Sequence, residues 1–212
     1  MLRITDLVVK RGGHDVLSGV SLEIAAGERV SLHGPSGCGK TTLLLAIAGL
    51  VPVTSGSISI ANRDITQLPP HARGIGLVFQ DDQLFPHFDV ADNVSYALRV
   101  RGIHREKRRS TADVWLQKVG LAGFASRRID SLSGGEAKRV ALARTLAANP
   151  SIVLLDEPLS GLDVELHDRL LTDLRDLFIS MGTTVLHVTH DRVEGSQLCD
   201  RSVEFQSLTG PR

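Results

Sequence analysis

Gly34-Pro35-Ser36-Gly37-Cys38-Gly39-Lys40-Thr41-Thr42 is the stretch on which the fold of this chain turns. It fits the pattern G-x-x-x-x-G-K-[ST] without a mismatch. Its flanks fit as well. Val30 and Leu32 alternate with polar neighbours as a strand does, and Leu43, Leu44, Ile47 and Leu50 recur at helical spacing after the loop. A strand entering a glycine-rich turn and leaving as a helix aims several backbone N–H groups at one point, where the helix end adds partial positive charge. Such a cradle takes phosphate. Lys40 is placed to reach the β- and γ-phosphates of a nucleotide, and the Thr41 hydroxyl to reach Mg²⁺.

A second phosphate grip lies far along the chain. In Leu132-Ser133-Gly134-Gly135-Glu136 a Ser-Gly-Gly run opens another helix, which offers a further ring of free N–H groups. One chain with two grips for the same phosphate can use them on two different nucleotides, which points to a dimer closing around ATP. Shortly after, Ile152-Val153-Leu154-Leu155 forms a continuous apolar run between Pro150 and Pro158, the pattern of a strand buried on both faces of a parallel sheet. It ends in two carboxylates. At the carboxyl edge of such a sheet Asp156 can hold Mg²⁺, and Glu157 is positioned as a general base for an attacking water.

These residues together resemble the ATP-binding subunits of ABC transporters, whose signature is matched by Leu132 to Glu136, and the resemblance runs from about Leu2 to Arg201. It implies an α/β fold of the P-loop NTPase (RecA-like) kind: a parallel sheet core, an N-terminal antiparallel β subdomain and an inserted helical subdomain. The core would take about 1–84 and 131–212, and the helical insert about 85–130. The resemblance further implies that Ser133, Gly134 and Gly135 grip the γ-phosphate of ATP held by the partner chain. Gln80 would belong to a loop that senses Mg²⁺ and the membrane partner, Asp163 to a segment (Ser160-Gly161-Leu162-Asp163) crossing the dimer interface, and His190 would steady the γ-phosphate and attacking water. The function implied is ATP hydrolysis powering solute movement, most similar to importers of small polar solutes. An exporter ATPase is the alternative, and a soluble ATPase acting on nucleic acid or ribosomes a more distant one. The implied partners are a second ATPase subunit, transmembrane permease subunits and a periplasmic or extracellular solute-binding protein, with the chain peripheral on the cytoplasmic face of the inner membrane.

Two positions depart from the family pattern. Where an aromatic ring usually stacks on adenine, this chain has Arg11-Gly12-Gly13-His14; a guanidinium or imidazole plane can lie on a base, and a solvated turn is an equal reading. Glu136 replaces the commoner glutamine of the signature.

Composition agrees with one aliphatic α/β unit and its subdomain: 212 residues, 42% hydrophobic but only 4% aromatic, with zero formal net charge. No global field draws the chain to nucleic acid, and none is expected as a partner. Arg99, Arg101, Arg105, Lys107, Arg108 and Arg109 read as a solvated helix face. Two cysteines make no disulfide framework. Leu43 to Val51, the longest apolar stretch, falls short of the ~20 residues that span a bilayer. Short strands are expected at Leu2 to Val9, Val20 to Ile24 and Ser57 to Ile60, and helices at Val90 to Arg101 and Arg105 to Val119. Phe85 and Phe88 lie where the family docks its membrane subunits, and are also candidates for ordinary core. Only a short tail follows Arg201, so regulation by an appended domain is not expected.

Overall fold

Alternating and continuous apolar runs sort the strands into two sheets. In chain order the strands are β1 (Leu2–Arg11), β2 (His14–Ile24), β3 (Arg29–His33), β4 (Ser55–Ile60), β5 (Arg63–Asp64), β6 (Ile75–Val78), β7 (Ile152–Asp156), β8 (Thr184–Val188) and β9 (Arg201–Glu204). The helices are α1 (Lys40–Ala48), α2 (Val90–Val94), α3 (Tyr96–Val100), α4 (Arg105–Lys118), α5 (Gly134–Ala147), α6 (Val164–Met181) and α7 (Arg192–Leu198). This computed structural model describes residues 1–209; of the tail after Arg201, residues 210–212 lie outside the described residues.

The half-buried strands form an antiparallel sheet in the order β2-β1-β4-β5, and the strands whose residues are buried throughout form the middle of a second sheet, β6-β7-β8-β3-β9. Strands β7, β8, β3 and β9 pair in parallel, as strands joined by helical crossovers must. The β1–β2 hairpin turns on Gly12 and Gly13, both at positive φ (59° and 82°), with Arg11 opposite His14. That is the two-residue turn whose twist suits the flanking strands.

Two compact units emerge. The first comprises Met1–Leu77, Ser151–Glu157 and the chain from Leu174 onward. Its single apolar core joins both sheets through α1, with Leu2, Ile4, Leu17, Leu32, Leu44, Ile47, Leu154 and Leu186 all buried. The second comprises Val78–Pro150 and Pro158–Asp173. Its core is drawn from α2, α4 and α5, through Val90, Val94, Ala112, Leu116, Val140, Ala143 and Leu146.

Two expectations are corrected within the second unit. The helix expected from Val90 to Arg101 is broken at Ser95, whose hydroxyl bonds back to the Ala91 carbonyl at 2.8 Å while its backbone leaves helical geometry (φ −89°, ψ 9°). The basic cluster is not a uniformly solvated face. Arg108 is buried and lies 3.8 Å from Asp92, Arg109 pairs with Asp89, and Arg101 donates to the Ala148 carbonyl at 3.0 Å. Arg105 and Lys107 remain exposed. Carboxylates at the start of α2, one turn of sequence apart, draw the arginines inward.

Arg73 is a structural anchor that composition does not announce. Its buried guanidinium donates to the carbonyls of Leu68, Thr66, Ala46 and Ile47 at 2.8–2.9 Å; the last two lie in the final turn of α1, where the Ala46 carbonyl also accepts the Gly49 N–H at 3.1 Å. The helix then stops at Gly49, whose left-handed φ of 81° and lack of a side chain both matter: a Cβ there would stand 2.5 Å from Arg73 Nε. Arg73→Met would remove the four charge-assisted hydrogen bonds of this buried guanidinium, so urea unfolding should show a loss of about 2–4 kcal/mol at unchanged m-value. A loss within experimental error would remove Arg73 from this role.

Candidate active site

Parallel pairing of β3, β7 and β8 sends their carboxyl ends to the same edge. Register fixes the alignment: Leu32 pairs with Val188, and Val188 with Asp156. From β3 the phosphate loop, Gly34 to Gly39, emerges and turns into α1. Gly39 needs its φ of 112° and its missing side chain, because a Cβ would meet Leu17 Cδ2 at 2.9 Å and the Val16 carbonyl at 3.1 Å. Pro35, Ser36 and Gly37 are exposed at the crest. Beneath them Lys40 is buried, its ammonium donating to the carbonyls of Gly34 (2.7 Å) and Pro35 (2.9 Å), with Cys38 Sγ at 3.9 Å. The cation is thus fixed inside the curl of the loop. Cys38 gives its own N–H to the Pro35 carbonyl at 3.4 Å, which helps to close the loop.

At the first turn of α1 the exposed Thr41 donates its hydroxyl to Asp156 Oδ1 at 3.3 Å. Asp156 itself is buried, and this desolvation pushes its carboxyl above the usual carboxylate range, against the Thr41 bond and Lys40, which pull it down. Next in chain, Glu157 adopts a left-handed φ of 46°, rare for a residue with a side chain, and is held there by its N–H bond to the Val188 carbonyl at 3.0 Å. His190, just past β8, brings Nδ1 to 3.4 Å from Glu157 Oε2. The first unit therefore unites the loop Gly34–Thr42 with Asp156, Glu157 and His190.

The remaining candidates stand in the second unit. Gln80 is exposed just beyond β6. Ser133 and Gly134 are exposed at the start of α5, where the Ser133 hydroxyl caps the Glu136 N–H (3.3 Å) and Glu136 Oε2 caps the Ser133 N–H (2.7 Å). This reciprocal box leaves the N–H groups of Gly134 and Gly135 without an intrahelical acceptor. The Ser133 N–H holds Glu136 below the usual carboxylate range, and Arg127 stands 3.7 Å away. Asp163 caps α6 by accepting from the Leu166 N–H at 2.9 Å. Gly135 must be glycine, since a Cβ would lie 2.6 Å from Leu166 Cδ2.

Sequence reasoning passed over several of the residues that hold these segments. Arg144 of α5 donates to the carbonyls of Asp82 (3.0 Å) and Gln83 (2.8 Å), pinning the loop that follows Gln80 at a point where Gln83 has φ 44°. Lys138, one helix face earlier, donates to the Ser160 carbonyl. Buried Asn93 accepts from the Phe85 N–H at 2.9 Å and donates to its carbonyl at 3.0 Å. Phe85 and Phe88, both half-buried, meet edge-on with centroids 5.8 Å apart beside Tyr96. Only the Ser133/Glu136 box had a sequence signal, the S-x-x-E spacing; side chains aimed at distant carbonyls leave none.

Fold and loop define a phosphate-loop nucleotide-binding protein. The chain belongs to the ABC transporter family, whose model, described as "ABC transporter", matches residues 17–160. Over 207 residues it is 49% identical to the Fe(3+) ions import ATP-binding protein FbpC of Streptomyces avermitilis, covering 98% of this chain and 60% of that protein. Over 192 residues it is 42% identical to the sulfoquinovosyl glycerol transport ATP-binding protein SmoE of Agrobacterium fabrum, covering 91% and 54%. The chain thus spans between half and two thirds of the length of these relatives. Among solved structures, the dimeric post-hydrolysis state of the ATP-binding cassette MJ0796 bound to ADP and Pi superposes with a TM-score of 0.89 at 33% identity, covering 100% of this chain and 97% of that one. Among the described residues no helix is long and apolar enough to cross a membrane.

The raised Asp156 carboxyl carries a consequence for stability. A carboxylate whose folded value lies above its unfolded one makes the fold bind protons more tightly, so ionisation costs stability above that folded value and nothing well below the unfolded one. Asp156→Asn should therefore raise the thermal midpoint of the nucleotide- and Mg²⁺-free protein near neutral pH. The gain should vanish in acid, and a lowered midpoint at neutrality would contradict this account.

Proposed function

We propose that this chain is the ATP-binding and ATP-hydrolysing subunit of an importer, working as a dimer on the cytoplasmic face of a membrane. The observation that carries the reading is Glu157 held in an unusual backbone conformation with His190 at 3.4 Å, beside Asp156 and the phosphate loop. The loop N–H groups and Lys40 bind the β- and γ-phosphates. Thr41 Oγ1 and Asp156 Oδ1, hard oxygens 3.3 Å apart with Asp156 already desolvated, fit Mg²⁺, which supplies charge neutralisation across the phosphates when bound. Glu157 accepts a proton from water as that water attacks the γ-phosphorus in line, the bond to the β–γ bridging oxygen breaks and ADP leaves with the bonding electron pair, and the imidazole of His190 orients Glu157 and the phosphate oxygens.

In the dimer, Ser133, Gly134 and Gly135 of one chain close on the γ-phosphate held by the other, so closure follows ATP binding and opening follows hydrolysis. Asp163 lies at the same interface. Partner permease subunits dock near Phe85 and Phe88 and, with a solute-binding protein, supply passage and selectivity. Support for import comes from the relatives, which are named for import or transport. The solutes in their names, Fe(3+) ions and sulfoquinovosyl glycerol, are chemically unlike, which fits selectivity residing in those partner subunits.

Replacing the carboxylate of Glu157 by an amide removes the proton acceptor. Glu157→Gln should bind ATP normally yet turn over about 10²- to 10⁴-fold more slowly, and with Mg²⁺-ATP it should elute as a dimer. Wild-type turnover in this variant would exclude Glu157 as the base.

The split site is tested separately. Ser133→Arg puts a bulky cation in the partner's γ-phosphate position while sparing the chain's own loop. Hydrolysis should disappear while nucleotide still binds with about wild-type affinity; a fully active variant would rule out the shared site.

A further inference from the structure

His190 projects into solvent, with 71% of its side chain exposed, so packing does not aim the imidazole at Glu157. What aims it is the backbone of the turn between β8 and α7. That turn is braced from beneath by a buried polar chain. Thr189 Oγ1 accepts the Asp191 N–H at 3.0 Å, so one hydroxyl bridges across His190 from the residue before to the residue after. The same hydroxyl donates its proton to Glu194 Oε2 at 2.9 Å. The other carboxylate oxygen of Glu194, Oε1, lies 3.0 Å from Nε2 of His187, whose side chain is fully buried in mid-sheet. Asp191 Oδ1 accepts from the N–H groups of Val193 (2.7 Å) and Glu194 (3.2 Å), which caps α7 and fixes the helix that carries Glu194. Gly195 lets this helix approach β3, since a Cβ there would meet His33 Nε2 at 2.7 Å.

Each link has a chemical reason. A hydroxyl with its proton free can rotate and release the Asp191 N–H; committed to a carboxylate, it is locked as an acceptor toward that N–H. A carboxylate buried under the turn is costly without partners; Thr189 donates to one oxygen of Glu194, and His187 Nε2 stands 3.0 Å from the other. None of these three groups is needed for the nucleotide-binding roles assigned above, and all three sit within the strand, turn and helix that carry His190.

We infer that Thr189, Glu194 and His187 form a buried positioning relay that sets the direction of His190 toward Glu157. The inference rests on the role proposed for His190. Thr189→Val keeps the shape of the side chain and removes both bonds of the hydroxyl, whereas Thr189→Ser keeps them. ATPase rates and binding of a fluorescent ATP analogue are measured for both, and for each substitution combined with His190→Ala. Thr189→Val should lower kcat by about 10-fold, as expected for a misplaced rather than a missing group, with analogue affinity within about twofold of wild type. Thr189→Ser should restore at least half of the wild-type rate. In the His190→Ala background Thr189→Val should change the residual rate by less than about twofold, because no imidazole is left to aim. Should the valine not fold, Thr189→Ala carries the same test. A wild-type kcat in Thr189→Val, or an equal loss with and without His190, overturns the relay while leaving the role of His190 standing. Full activity of His190→Ala alone overturns that role, and the relay with it.

Discussion

The hydrogen-bond ladder through β7, β8 and β3 is the constraint on which the nucleotide site of the first unit depends. Leu32 opposite Val188 and Val188 opposite Asp156 put three strand ends level, so that the phosphate loop, the Asp156-Glu157 pair and the turn bearing His190 leave the sheet side by side. A shift of one residue in any of these pairings would send every side chain of that strand to the opposite face. The ladder also supplies the Val188 carbonyl that holds Glu157 in its left-handed conformation. Alignment and strain thus come from one set of bonds.

Polar groups are buried around this edge at a cost to the fold. Asp156 is desolvated, Lys40 is enclosed by loop carbonyls, and His33 at the end of β3 is pushed below its ordinary value, mainly by burial. An apolar edge would be more stable and could not hold a phosphate or a hard cation. The compensation lies elsewhere in the unit, in the aliphatic core and in anchors such as Arg73, which donates to four main-chain carbonyls.

In the second unit α5 plays the organising part. Its N-terminus is set by the Ser133–Glu136 box, Lys138 reaches the Ser160 carbonyl, and Arg144 reaches the carbonyls of Asp82 and Gln83. One rigid helix therefore holds the Ser-Gly-Gly run, the segment leading to Asp163 and the loop after Gln80. The bonds run to main-chain oxygens, which fixes backbone position whatever side chains those loops carry.

The sequence by itself determined the phosphate loop, the buried strand ending in two carboxylates and the two-sheet division, because each is written in local spacing: glycines where the chain must turn, alternation where one face is wet, unbroken aliphatics where neither is. It also carried the Ser133–Glu136 box in its S-x-x-E spacing. Tertiary structure alone decided that the Val90–Arg101 helix breaks at Ser95, that Arg108 and Arg109 turn toward Asp92 and Asp89, and that Arg73, Arg144 and Glu194 serve carbonyls or hydroxyls brought near by folding. A long polar side chain at a given position has the same local sequence whether it meets water or a buried acceptor. Which one it meets is fixed by the chain packing around it, through the cost of leaving a buried polar group unpaired.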